Sequence, residues 1–156
     1  MTFLRKASLS LVVIASLALP AGAALAQSQS PEPTRVLDRA AAQRLLANKG
    51  LTLQWIDWTT RGHARVQQMR GVWQLRGAQA EAGGPGRLLL EGRIGEIGRD
   101  SFTFIGTIRI ADTPDRGRLC EQTKSWRFAI TQRRKYYRLR EFEWCDGLTD
   151  YIDLHF

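Results

Sequence analysis

From Leu51 to the C-terminus, short runs of aromatic and β-branched residues alternate with turn signals, and apolar positions recur with a period near two. This spacing predicts strands over Leu51–Trp58, Ala64–Met69, Val72–Ala80, Arg87–Ile97, Ser101–Ala111, Glu121–Thr131, Lys135–Trp144 and Thr149–Phe156. Glycine-rich or charged breaks separate them, among them Arg70-Gly71, Gly83-Gly84-Pro85-Gly86 and Gly98-Arg99-Asp100. Seven or eight evenly spaced strands with short connections predict a mostly β fold. It is an antiparallel meander, closed as a barrel or strongly curved. Before Leu51 the period changes. Val36, Leu37, Ala40, Ala41 and Leu45 fall near one helical stripe, predicting a single N-terminal helix over 34–48 with Thr34 as N-cap and Gly50 as its stop.

Turn chemistry extends the pattern to a register. A two-residue turn at Gln132-Arg133 sets Cys120 opposite Cys145. Asp146-Gly147, read as a type I′ turn, sets Leu139 opposite Leu154, Tyr137 opposite Phe156, Phe142 opposite Tyr151 and Arg140 opposite Asp153. Together the two turns collect Trp126, Phe128, Ile130, Tyr137, Leu139, Ile152, Leu154 and Phe156 on a core face. Arg127, Tyr136, Arg138, Arg140, Phe142, Trp144, Asp153 and His155 fall on the opposite face. In the preceding hairpin Leu88, Leu90, Ile94, Phe102, Phe104, Ile108 and Ile110 share the core face. Gly92 and Gly106 lie opposite each other in it, a gap that a cavity or close packing would use.

The first residues show a different organisation. Arg5 and Lys6 precede an apolar run, Ala7–Leu19, too short to span a bilayer comfortably, and Ala24-Leu25-Ala26 supplies the small side chains that a signal peptidase requires. The expected organisation is a signal peptide over 1–26, cleaved after Ala26, a flexible Ser/Gln/Pro-rich tether over 27–33, and one β domain over 34–156. Export to the periplasm or beyond changes the meaning of the only two cysteines. In an oxidising compartment Cys120 and Cys145 form a disulfide, and two thiols with no histidine cluster make a poor zinc site.

Removing Arg5 and Lys6 takes the formal net charge from +8 to +6. A basic exported domain meets anionic envelope components, not nucleic acid. Chemistry is sparse: the two histidines, His63 and His155, have no nucleophile elbow, HExxH helix or phosphate loop around them, so no enzyme, metal or cofactor is expected. The candidate ligand site is the charged end of the inner face. There Lys124 pairs with Glu141, and Glu143 faces Asp150, a carboxylate pair that would share a proton or take a positive partner. The candidate interaction surface is Tyr136, Arg138, Arg140 and Trp144, aromatic rings interleaved with cations.

The outline of one helical element, about eight meandering strands and the tripeptide Gly71-x-Trp73 resembles the lipocalin-like (calycin) barrels. In that family the tripeptide sits on the first strand, whereas here two predicted strands precede it. The resemblance implies a closed barrel around a small apolar ligand. The terminal Phe156, with Leu154, Ile152 and Leu148 alternating before it, resembles the last strand of outer-membrane β-barrels. Those barrels need a continuous apolar outer band, which Arg138 and Arg140 or Lys124, Glu141 and Glu143 would interrupt. The expected function is therefore an exported binding or interaction domain for a small apolar or anionic envelope molecule. The alternatives are a small outer-membrane β-barrel and a small hydrolase using the paired carboxylates.

Overall fold

Period-two patterning does produce a meander. The structure, a computed structural model, describes residues 31–156, so the expected signal peptide and most of the expected tether lie outside the described residues. A two-residue strand β1 (Arg35–Val36) precedes helix α1 (Arg39–Leu46). Eight strands follow: β2 (Leu51–Leu53), β3 (His63–Met69), β4 (Val72–Ala80), β5 (Arg87–Ile97), β6 (Ser101–Ala111), β7 (Leu119–Ala129), β8 (Tyr136–Leu139) and β9 (Ile152–His155). They form one antiparallel sheet in the order β2-β9-β8-β7-β6-β5-β4-β3, and β1 adds to β5 in parallel.

The sheet curls until its two ends meet. Leu51 and Gly62 exchange backbone hydrogen bonds of 3.2 and 2.8 Å, which bridges β2 to the start of β3 and nearly closes an eight-stranded barrel. The seam is too tight for side chains. A Cβ on Gly62 would stand 2.1 Å from the Ala78 carbonyl oxygen, and one on Gly77 would stand 2.2 Å from Leu51 Cδ2. Beyond the bridge a side chain replaces the missing ladder. Buried Gln79 accepts from the Leu53 N–H at 2.6 Å and donates to the carbonyls of Asp57 and Thr60. All of its amide groups are used, so burying it costs little.

The inside is filled by side chains, as expected of a barrel of this size. Phe102 stacks on Phe128 with centroids 5.0 Å apart, and Tyr137 and Phe104 meet that pair edge-on. The gap at Gly92 and Gly106 holds the Phe104 ring, which a Cβ on either glycine would approach within 3 Å. Close packing, not a cavity, is thus its use, and the positions expected to surround an apolar ligand are occupied by core rings. At one end α1 contributes Ala41, Ala42 and Leu45 to the core, and Arg44 reaches the Tyr137 hydroxyl and lies over Phe156.

Three local readings are corrected. The helix is shorter than 34–48 and is capped by Asp38, which has an extended backbone and whose Oδ1 accepts the Ala41 N–H at 2.7 Å. Thr34 instead uses its hydroxyl to tie β4 to β5, accepting from Trp73 N–H and donating to the Ile94 carbonyl. The first long strand ends at Leu53, whose carbonyl accepts the N–H of Ile56 at 3.0 Å and of Asp57 at 3.2 Å in a tight turn, and Asp57 then accepts the backbone and hydroxyl of Thr59 in a second turn.

The third correction concerns the last two hairpins. Gln132 and Arg133 do adopt positive φ, as a primed turn requires, but β7 and β8 then pair Phe128 with Leu139, two residues away from the expected register. Likewise Tyr137 pairs with Leu154 and Arg138 with Asp153. Residues 140–151 are not strands but a long loop, in which only Gly147 of the Asp146-Gly147 pair has positive φ. A shift of two preserves alternation. Trp126, Phe128, Tyr137, Leu139, Ile152 and Leu154 are therefore all buried, with Ile130 and Phe156 packed against them.

Candidate functional site

The 140–151 loop carries most of the residues singled out from sequence, and two fastenings hold it on the barrel. The first is the disulfide Cys120–Cys145, with Cα atoms 5.8 Å apart. It joins β7 to the loop and does not span a ladder pair, since β8 ends six residues earlier. The second is an ion-pair cluster absent from the sequence reading. Arg118, only 5% exposed, bonds Asp146 at 2.8 and 2.9 Å and Asp150 at 3.0 and 2.9 Å. Asp150 is fully buried and also accepts the indole N–H of Trp55 at 3.0 Å. The hydrogen bonds to Arg118 hold the Asp146 carboxyl at about 2, and those to Asp146 and Asp150 raise the guanidinium pKa further.

This cluster corrects the carboxylate pairing. Both Asp150 oxygens are engaged, whereas Glu143 is exposed and touches only the Thr149 hydroxyl at 3.4 Å, so the two do not face each other. Lys124 and Glu141 do pair, at 2.6 Å, with the ammonium 4.4 Å from the centre of the Trp126 ring. Asp146 lies beside Cys120 and Cys145, but those sulfurs are bonded to each other and offer no thiolate to a metal.

On the outer face, Arg138 is the organising side chain. Its guanidinium bonds the buried Asp153 carboxylate at 2.7 Å through two nitrogens, and it lies 4.1 Å from the Tyr151 ring centre, 5.2 Å from Tyr136 and 5.8 Å from Trp58. Asp153 raises the pKa of Arg138, so the charge is permanent but already compensated. Arg138 is thus a scaffold for three rings and not a free cation. Phe142 continues the row, edge-on to Tyr151 at 5.4 Å, and exposed Arg140 lies over it at 5.6 Å. The contact expected between Phe142 and Tyr151 forms across the loop, outside any ladder.

These groups line a trough of two adjoining depressions. The first, about 330 Å³, is bordered by Arg134, Arg138, Arg140, Phe142 and Tyr151. The second, about 360 Å³, is bordered by Lys124, Glu141, Glu143 and Trp144, and shares Arg140 and Phe142 with the first. Trp144 does not project outward as its strand parity predicts. Once β8 has ended the chain turns in, and its ring packs edge-on against core Trp126 at 5.1 Å. Among the described residues its buried Nε1–H has no acceptor.

The structure therefore brings the two candidate sets around one trough, except Asp150, which serves the fastening below, and Tyr136, which lies beside Arg138 but borders neither depression. Sequence reasoning missed Arg118, Trp55 and Trp58. The Asp57-x-Thr59 turn signal could have placed Trp58 in a surface loop. No local signal marks Arg118, whose partners lie 28 and 32 residues away.

A model of the PM1083 family matches residues 33–156. The uncharacterized protein PM1083 of Pasteurella multocida (strain Pm70) is 32% identical over 135 residues, covering 84% of each chain. No solved structure matches the chain.

Proposed function

The chain belongs to the PM1083 family, and for this member we propose an exported binding domain that holds an anionic component of the cell envelope in its outer trough. The observation that carries the reading is the contrast between the barrel's two sides. The inside is packed with rings that leave Trp126, Phe128 and Tyr137 almost fully buried, whereas the outside presents Phe142 and Tyr151 beside Arg134 and Arg140. Arg134 and Arg140 have no carboxylate partner among the described residues, and a guanidinium fork beside an aromatic face suits a carboxylate or phosphate.

Export is supported by the signal-like residues 1–26 and by the disulfide that an oxidising compartment maintains. A barrel spanning the outer membrane would need an apolar exterior. Here the outer faces of the strands carry Arg76–Glu91 and Arg109–Glu121 ion pairs, and most apolar side chains point inward, with Met69, Leu89 and Leu119 exposed singly. A carboxylate-pair hydrolase is disfavoured by the separation of Glu143 from Asp150.

The test has two parts. N-terminal sequencing of protein from a periplasmic extract is expected to begin at Gln27. Protein starting at Gln27 is expected to sediment with washed envelopes at low salt and to be released as salt screens its cations. An Arg134→Gln, Arg140→Gln chain that sediments as well as the parent would refute the reading.

A further inference from the structure

We infer that the molecule held in the trough is an acidic oligosaccharide, its acidic group in one depression and a neighbouring sugar ring in the other. The inference rests on the trough being the binding surface and adds the class of ligand.

The two depressions differ in chemistry. The first is cationic: Arg134 and Arg140 stand at its border beside the partly exposed Phe142 and Tyr151 rings. The second is mixed, with Lys124 paired to Glu141 and with Glu143 making one long bond to Thr149. A single anion, such as phosphate, would use only the first. An anionic lipid surface laid across both would press the exposed carboxylates Glu141 and Glu143 against its own charge. A sugar chain fits both halves. Its ring carries polarised C–H groups on one face, which the negative face of Phe142 or Tyr151 attracts. Its carboxylate, sulfate or phosphate meets the guanidinium forks, and its hydroxyls donate to Glu143. Phe142 and Arg140 border both depressions, so they sit at the junction where consecutive rings would lie.

Calorimetric titration of the disulfide-bonded protein from Gln27 tests this. The probes are trigalacturonate, a heparin hexasaccharide, a phosphorylated mannose trisaccharide, neutral maltotriose, galacturonate monomer and phosphatidylglycerol vesicles. At least one acidic oligosaccharide is expected to bind, with maltotriose and the monomer about tenfold weaker or more. The Arg140 side chain is exposed, lies over Phe142 and makes no ion pair among the described residues, so Arg140→Gln is expected to keep the parental melting temperature while weakening binding about tenfold. Phe142→Leu is expected to weaken acidic and neutral sugars alike. Vesicle binding without any oligosaccharide binding would overturn the inference and leave the envelope-binding reading standing. Failure of every probe, together with no sedimentation on envelopes, would overturn both. Oligosaccharide binding unchanged by Arg140→Gln and Phe142→Leu would place the sugar elsewhere and overturn the inference alone.

Discussion

Arg118 meets Asp150 end-on at one end of the barrel, Nη1 to Oδ1 at 3.0 Å and Nη2 to Oδ2 at 2.9 Å, with the carboxylate fully buried. Removing the cation leaves that charge with only the Trp55 N–H, and breaking a buried pair from one side costs about 3–5 kcal/mol. Asp150→Asn is milder, because Arg118 keeps Asp146. Urea unfolding is expected to rank Arg118→Met well below Asp150→Asn, with both below the parent. Equal midpoints for the two variants would contradict the arrangement.

The disulfide and the Arg118 cluster fasten the same loop, since Cys145 and Asp146 are adjacent and Cys120 lies two residues from Arg118. Opening a bridge of separation 25 costs about 3 kcal/mol in the chain-entropy model. The cluster acts on the folded state instead: with it intact the loop stays docked once the bridge is opened, and with both gone neither fastening holds it. A double-mutant cycle of Cys120→Ser/Cys145→Ser with Arg118→Met is therefore expected to be non-additive, the combined loss exceeding the sum. Strict additivity would mean the two fastenings act on separate parts of the loop.

At the seam, the two glycines differ in what an added Cβ would strike. For Gly62 it is backbone, the Ala78 carbonyl and Gln79 Cα, whereas for Gly77 it is the end of the Leu51 side chain. A side chain can rotate and a ladder cannot. Gly62→Ala is expected to destabilise by about 2 kcal/mol or more and Gly77→Ala by less, read from thermal or urea melts.

His155 faces the Thr52 hydroxyl at 2.9 Å, and burial, with help from Arg61, lowers its pKa below the usual 6.5. The unfolded chain therefore binds the proton more readily than the folded one. The contribution of His155 to stability is complete above about pH 6.5 and is lost as pH falls from there through the lowered folded value. NMR titration of the ring is expected to give a midpoint below 6.5. A midpoint above it would reverse the predicted slope.

Trp144 buries an indole N–H that finds no acceptor among the described residues. An unsatisfied buried donor is itself destabilising, so Trp144→Phe sacrifices no hydrogen bond while retaining an aromatic ring against Trp126. Its melting temperature is expected to stay near the parent's or to rise. A fall of the size seen for buried hydrogen bonds would show that the N–H has a partner.

The alternation of apolar and polar residues determined by itself that this chain is a meander, which face of each long strand is buried, and that Gly92 lies opposite Gly106. Parity is a local property, fixed by the two-residue repeat of an extended backbone. It therefore survived a register error of two at Phe128 and Tyr137. Cysteine count and spacing likewise determined the bridge, although the geometry first attached to it, a ladder pair, was not the one formed. The tertiary structure decided where β8 and β9 end, how the barrel closes and which cations are free. Those depend on partners far away in sequence: Gln79 filling the seam beside Leu53, Arg118 drawing Asp146 and Asp150 down, and Asp153 compensating Arg138. Pattern records which way a side chain points. Only the closed barrel brings together groups from strands that no local rule pairs, and it left Arg140 and Phe142 at the junction of the trough.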